Sequence, residues 1–340
     1  MRILILGGSV FLGRAFAEEA TLRGHAVTVF NRGRSGPDVP GAEALRGDRE
    51  NPADLERLAA AGPWDAVVDT CGFQPRPVGD SARALSGRAG TYLFVSSFHA
   101  HSDWPAAPVD ETAPRHVCGP DATPDEVPGN ALKAGCERAV EKYFTGGTLI
   151  LNPGLIVGPW ENTGRLLWWL ERAARGGEFL APGRPEQPVQ LIDARDVAAF
   201  GLDLLEQRAT GRYLVTGPKD GATFGELLGR CAEVTGSGAE PVWADDDFLL
   251  DQGVGPWTEL PLWAPDEPAM AGTWAVVPAK AEAAGLRRRP LAETVADTWR
   301  WLGERGPATG PYKQGETVLG IAPDKEQEVL LAWHARTGVR

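Results

Sequence analysis

No run of apolar residues in this chain approaches the roughly 18 that cross a bilayer as a helix, so no membrane association is expected. Four cysteines are present, Cys71, Cys118, Cys136 and Cys231, and no two of them form a C-x-x-C pair. That scatter argues for reduced thiols over a disulfide or zinc framework, and no metal site is expected. Positive charge is in deficit: 34 Lys and Arg against 46 Asp and Glu give a formal net charge of -12. Nucleic-acid binding rests on neutralising phosphates with Lys and Arg, so the balance disfavours it, although a local basic patch stays open. No cleavable leader is recognisable before the first apolar run, and a cytoplasmic location is the default expectation. The scarcity with the largest consequence is tyrosine, with four in 340 residues: Tyr92, Tyr143, Tyr213 and Tyr312.

What is present is an ordinary globular composition, 43% hydrophobic and 24% charged, in a chain long enough for one large domain or two ordinary ones. Its most recognisable stretch is Arg2-Ile3-Leu4-Ile5-Leu6-Gly7-Gly8-Ser9-Val10-Phe11-Leu12-Gly13. An apolar run, two glycines and then helical spacing over residues 11–23 predict a strand, a tight turn and a helix. A helix N-terminus leaves backbone N–H groups unpaired and favours an anion, so the turn suits the pyrophosphate of a dinucleotide. Gly7 and Gly8 allow the turn and close approach, and Gly13 allows the helix to pack on the sheet. Ser9, Phe11 and Leu12 fill the same turn and join the glycines as cofactor contacts. Valine occupies the middle position of the fuller Gly-x-x-Gly-x-x-Gly form.

Residues 26–30 read as a second strand, followed by Asn31-Arg32-Gly33-Arg34 where a dinucleotide fold reads the adenosine ribose. An acidic residue there would hydrogen-bond a 2′-hydroxyl, whereas a guanidinium can grip a 2′-phosphate. NADP is therefore expected over NAD, with solvated loop charges as the alternative for Arg32 and Arg34. A short third strand over 43–46 leads to Asp48, either a partner of the adenine amino group or a solvated turn residue. Residues 52–61 read as a helix capped by Asn51, and 65–69 as a fourth strand. Asp69 and Cys71, at its carboxyl end, are expected beside the cofactor. A helix containing 81–85 and a strand over 91–96 continue the alternation, which predicts a parallel sheet. Residues 102–129 lack any period and read as a loop over the site. Helix resumes over 130–144 and strand over 148–151; 197–205 and 213–216 return to the sheet, and 323–336 form a terminal helix. Ten of the twelve tryptophans follow Asn152, which predicts a second lobe with its own core.

The expected architecture is thus α/β: a Rossmann-type doubly wound parallel sheet in residues 1–155, with return elements at about 194–216. A smaller C-terminal substrate lobe is drawn from 156–193 and 217–340. The chain resembles the extended short-chain dehydrogenase/reductase superfamily, in particular its atypical branch of NAD-dependent epimerase/dehydratase proteins, kin to chloroplast stem-loop-binding proteins. The pieces that carry the resemblance are the Gly7 to Gly13 turn, Phe30-Asn31-Arg32-Gly33, Val95-Ser96-Ser97 and Lys133, then Asn152-Pro153-Gly154-Leu155-Ile156-Val157-Gly158-Pro159 and Gln190-Leu191-Ile192-Asp193-Ala194-Arg195-Asp196-Val197-Ala198. They cover about the first two-thirds of the chain.

The resemblance implies an NAD(P)-dependent oxidoreductase or epimerase/dehydratase-type enzyme acting on a small polar metabolite. Pro153 joins the cofactor contacts, and a homodimer is left open. Members of the superfamily use a Tyr-x-x-x-Lys pair and a serine to move the proton that accompanies hydride transfer. Ser97 and Lys133 fit two of these positions, with a strand-end turn residue and a solvated helix charge as the alternatives. Four residues before Lys133, however, stands Gly129. The substitutes are a histidine among His99, His101 and His116, or Lys133 itself, or a water on Ser97. The remaining readings are a cofactor-binding protein without turnover and, from kinship alone, an RNA-binding protein.

Overall fold

Both faces of the opening apolar run are covered, and this determines where it goes. It forms β1 (Arg2–Leu6), an interior strand of a seven-stranded parallel sheet in a computed structural model that describes residues 1–306, 312–314 and 317–338. The strands that follow are β2 (Ala26–Asn31), β3 (Glu43–Arg46), β4 (Trp64–Asp69), β5 (Ala89–Val95) and β6 (Gly147–Pro153). Beyond them, β7 (Leu155–Val157) pairs with β9 (Leu191–Asp193), and β8 (Glu178–Pro182) with β11 (Glu240–Ala244). The strand β10 (Gly211–Val215) returns to the sheet beside β6, giving the order β3-β2-β1-β4-β5-β6-β10.

The helices in the first part of the chain are α1 (Phe11–Leu22), α2 (Pro52–Ala60), α3 (Pro75–Leu85) and α4 (Leu132–Tyr143). They are followed by α5 (Arg165–Ala174), α6 (Ala194–Glu206), α7 (Phe224–Thr235) and α8 (Asp246–Asp251). Last come α9 (Ala279–Ala283), α10 (Leu291–Arg305) and α11 (Pro323–Thr337). Alternate side chains of each central strand go to opposite faces. Ile3, Ile5, Val27 and Val29 pack against Phe16 and Ala17 of α1 and Val197 and Phe200 of α6. Leu4, Leu6, Phe30 and Val67 pack on the other face against Leu55 of α2, Val78 of α3 and Val140 of α4. Each such aliphatic side chain contributes roughly 1.5–3 kcal/mol of burial, which is why these strands read as continuous apolar runs.

A third core holds the tryptophans of the later chain other than Trp160. Trp169 and Trp263 are fully buried, and their indole N–H groups donate to the Pro261 carbonyl at 2.7 Å and to Asp246 at 2.8 Å. The concentration of Trp beyond Asn152 therefore marks packing between α5, α7 and the β8–β11 pair. The segment 102–129, expected over the site, contributes no described lining residue to the cleft: its second half is tied to α4, with Arg138 donating to the His116 and Cys118 carbonyls at 2.8 and 3.0 Å, and its first half docks on the later chain. Val109 bridges Val276, and the Gly272 N–H donates to the Pro105 carbonyl at 2.7 Å. A Cβ on Gly272 would lie 2.0 Å from the Ala107 carbonyl oxygen, so only glycine permits this approach.

Candidate active site

The turn after β1 is held by backbone geometry that only glycine adopts freely. Gly7 and Gly8 have φ of 108° and 86°, and a Cβ on Gly8 would meet Val29 at 2.7 Å. A Cβ on Gly13 would lie 2.7 Å from both the Gly8 nitrogen and the Thr70 hydroxyl, so this glycine lets α1 approach the turn itself and the end of β4. Gly13→Val is expected to destabilise the fold by roughly 1–3 kcal/mol through overpacking, read as a lower denaturant midpoint; an unchanged midpoint would contradict the close approach. Val10 caps α1 without a side-chain hydrogen bond, so the first-turn amides have no protein side chain on them.

Register aligns the strand ends, with Leu6 opposite both Phe30 and Asp69. Their carboxyl ends open onto one cleft of about 560 Å³, the size range of small-molecule sites. It brings together Gly7, Ser9, Phe11, Leu12 and Gly13 from the turn, and Asn31, Arg32 and Asp48 from the ends of β2 and β3. Cys71, Ser97, His99, Lys133 and Pro153 line its other end. No tryptophan is among the described lining residues.

Asn31 uses both ends of its amide: Nδ2 donates to the Gly7 carbonyl at 3.1 Å, and Oδ1 accepts from the Gly33 N–H at 2.8 Å and from Arg46. It braces the turn against β2. Arg32 and Arg34 stand exposed at the rim, and the 3.8 Å Arg32–Asp48 pair is too open to water to hold either firmly.

At the opposite end, the Lys133 ammonium donates to the Gly72 carbonyl at 2.7 Å and the Val95 carbonyl at 3.1 Å. Burial lowers its pKa, against the opposing influence of Cys136, Asp69 and Cys71. The Ser97 hydroxyl accepts from the His99 N–H at 3.2 Å, and the Ser97 carbonyl accepts from Asn152 at 3.0 Å. Behind them Glu137, fully buried one turn after Lys133, accepts from Ser96 and Asn152 at 2.6 Å each and from Arg115 at 3.0 Å. His99 opens to the cleft, yet the protein around it and the nearby Arg165 and His116 push its pKa down to about 4. It is therefore neutral at pH 7.

Three of the expected site residues, Asp69, His101 and His116, are not among the described lining residues of the cleft. Asp69 is wholly buried beneath it, accepting from both terminal nitrogens of Arg49 at 2.9 and 2.8 Å and from the Tyr92 hydroxyl at 2.7 Å. Burial alone would raise its pKa, but the Arg49 charge and these hydrogen bonds leave it lowered. His101 is 2% exposed, its Nδ1 3.2 Å from the Phe98 carbonyl, and burial lowers its pKa as well. Gly129 opens a short 3-10 turn ahead of α4, and a Cβ there would meet nothing within 4 Å.

The model of the NAD dependent epimerase/dehydratase family matches residues 3–216. The chain belongs to that family. Chloroplast stem-loop binding protein of 41 kDa b from Arabidopsis thaliana is 26% identical over 251 residues, 69% of this chain and 63% of that protein. The chain thus spans less than two thirds of the length of this relative. A 2'-dehydrokanamycin reductase from Streptomyces kanamyceticus is 28% identical over 265 residues, 74% of this chain and 72% of the reductase. Among solved structures, the Bordetella bronchiseptica enzyme WbmH in complex with NAD+ is similar at a TM-score of 0.68, with 18% identity over 90% of this chain and 99% of that one. That likeness extends to the fold. No helix among the described residues is long and apolar enough to cross a membrane, and no group of His, Cys, Asp and Glu among them has the arrangement of a metal site.

The cleft wall also carries groups that the sequence analysis did not single out. Arg49, Asn162, Thr163 and Arg165 also line it, and sequence reasoning passed over all four. Arg49 follows Asp48 in an ordinary polar turn, and its pairing with Asp69 spans 20 residues. The other three lie after Pro159, where no motif marks them, Arg165 at the start of the amphipathic helix α5.

Proposed function

We propose that the cleft binds a nicotinamide dinucleotide, NADP(H) in preference to NAD(H), and that the protein is an oxidoreductase or epimerase/dehydratase-type enzyme for a small polar metabolite. The observation that carries this reading is that the uncapped start of α1 and the Ser97 and Lys133 side chains open onto the same cleft. The turn is a cradle that a Cβ would fill, as a close-lying pyrophosphate requires. When bound, the dinucleotide supplies a hydride donor or acceptor.

The remaining chemistry falls to this chain. Ser97 holds the reacting oxygen, its own carbonyl fixed by Asn152. Two N–H bonds of Lys133 are committed to carbonyls, and the third is free for the ribose or the reacting oxygen. On this reading Gly129 takes the place of the superfamily's tyrosine, and the proton falls to Lys133. Neutral His99 serves as a hydrogen-bond donor rather than as an imidazolium acid. His101, enclosed, takes no part.

The preference for NADP rests on Arg32 and Arg34 and on the absence of a carboxylate at the end of β2. Arg32→Ala is expected to weaken NADPH binding roughly tenfold, about 1.4 kcal/mol, and NADH binding hardly at all, in fluorescence titrations. Equal losses for the two cofactors would remove the 2′-phosphate assignment. The reaction itself is tested by following nicotinamide fluorescence across a panel of carbonyl compounds and nucleotide sugars. Turnover of any member supports the enzyme. Tight cofactor binding with no turnover anywhere favours the second reading, a cofactor-responsive binding protein, which the open space at Gly129 also suits.

A further inference from the structure

Arg165, the first residue of α5, is the charged group on the cleft wall whose side chain is least accounted for. It is largely enclosed, and burial lowers its pKa, with only the Glu161 charge opposing. Among the described residues its guanidinium makes no hydrogen bond and has no carboxylate within 4.0 Å. The contrast with the other enclosed arginines is sharp. Arg49 is paired with Asp69, Arg172 with Glu326 at 2.7 Å, and Arg289 with Asp196 at 2.8 Å.

Glu161 does not fill this role, because its carboxylate is committed elsewhere. It accepts from the Arg165 backbone N–H at 2.7 Å, from the Leu166 N–H at 3.3 Å and from the Thr163 hydroxyl. It thereby caps α5, so the helix N-terminus itself is already occupied. A half-buried guanidinium on the cleft wall whose planar donors meet no protein acceptor is available to a ligand oxyanion, and that fork is matched to carboxylate or phosphate oxygens.

The surroundings point the same way. The only carboxylates among the described lining residues, Asp48 and Glu50, follow β3 at the far end of the cleft. At the end holding Ser97, the polar groups are Lys133, neutral His99, Asn162, Thr163 and Arg165. The exposed Asn162 amide makes no hydrogen bond among the described residues and stays available to a ligand, and Arg165 is close enough to His99 to help depress its pKa. We infer that Arg165, with the Asn162 amide, forms an oxyanion subsite, so that the substrate carries a carboxylate or phosphate beside the group held by Ser97. This rests on the functional reading above for the word substrate, but the anion site itself stands on the side chains.

The test titrates malonate and inorganic phosphate, with neutral malonamide and cationic ethylenediamine as controls, into the full chain by calorimetry, with and without saturating NADPH. Wild type is expected to bind at least one of the two anions and neither control. Preference between malonate and phosphate separates a carboxylate from a phosphate ligand. Arg165→Met should lose tenfold or more in anion affinity, while Arg165→Lys, which keeps the charge but not the fork, should fall between. Circular dichroism and melting curves of both variants establish that they are folded. Should Arg165→Met fail to fold, Arg165→Lys alone decides, and a wild-type anion affinity in it would count against the fork. Equal anion affinity in wild type and folded Arg165→Met, absence of anion binding in wild type, or preference for ethylenediamine would overturn the subsite. Failure of NADPH to bind would strike the functional reading instead, since the anion comparison is also read without cofactor.

Discussion

Lys133→Met is expected to lower kcat by about a hundredfold to ten-thousandfold, the range that a positioned general acid or base supplies. NADPH affinity should fall by no more than about tenfold. The split follows from the geometry: two of the three ammonium hydrogens are bound by the Gly72 and Val95 carbonyls, which aim the group without help from any ligand. Burial that lowers the Lys133 pKa makes the ammonium a stronger acid than a solvated lysine. For carbonyl reduction the protonated form is the active one. Activity should therefore decline as pH rises through a pKa lying below the ordinary 10.5, and that limb of the pH–rate profile should be absent from the Met variant. A variant with wild-type kcat, or an unchanged alkaline limb, would assign the proton to another group. The measurement uses whichever carbonyl substrate the panel identifies, with cofactor affinity determined separately by fluorescence.

Asp69→Ala should cost about 3–5 kcal/mol of stability, the penalty for leaving one member of a buried ion pair alone. The Arg49 side chain is 11% exposed, and without the carboxylate it keeps only Ser81 at 3.0 Å, the Pro77 carbonyl at 3.4 Å and the Cys71 sulfur at 3.5 Å. The Tyr92 hydroxyl loses its acceptor as well. Chemical unfolding reads the loss directly, and a change under about 1 kcal/mol would mean that Arg49 finds water or another partner. The pH dependence has a definite sign. Because the folded pKa of Asp69 is lowered, its contribution is complete above the unfolded value, near 3.9, and is lost as pH falls through the folded value. Asp69→Asn keeps the shape and removes the titration, so its stability should lack that acid-side decline.

The two residues lie on opposite sides of what the sequence discloses. Lys133 is visible because its type, its helix and its place after Val95-Ser96-Ser97 match a family pattern. Asp69 is visible as the end of an apolar strand, but its partner is not. Nothing in the polar turn holding Arg49 says that it crosses to the end of β4, and so the reading put the carboxylate beside a ligand when the structure puts it beneath the cleft floor. His101 is a similar case. Two residues from His99, it turns inward onto the Phe98 carbonyl because the 3-10 turn over Phe98–Ala100 reverses the chain.

Local pattern accounts for how well the first half could be read. The expected helices over 11–23 and 52–61 are α1 (Phe11–Leu22) and α2 (Pro52–Ala60), and the strand over 26–30 is β2 (Ala26–Asn31). Asn51 caps α2 by accepting from the Ala53 N–H at 3.0 Å, as its side chain and the following proline suggested. The later chain gave fewer such signals. The β8–β11 pair joins residues 62 positions apart, Glu178 with Glu240, and β7 and β9 are three residues each, too short to carry a period.

By itself, then, the sequence determined the alternating sheet, the glycine turn and the identity of the residues at its mouth, because each is specified within one turn of helix or one strand. Only the tertiary structure decided which charges are neutralised and which remain available. Asp69 is consumed by Arg49 and Tyr92, 20 and 23 residues away, while Arg165 is left facing the cleft. That difference depends on packing between elements distant in the chain, where burial removes water and makes every unpaired charge count.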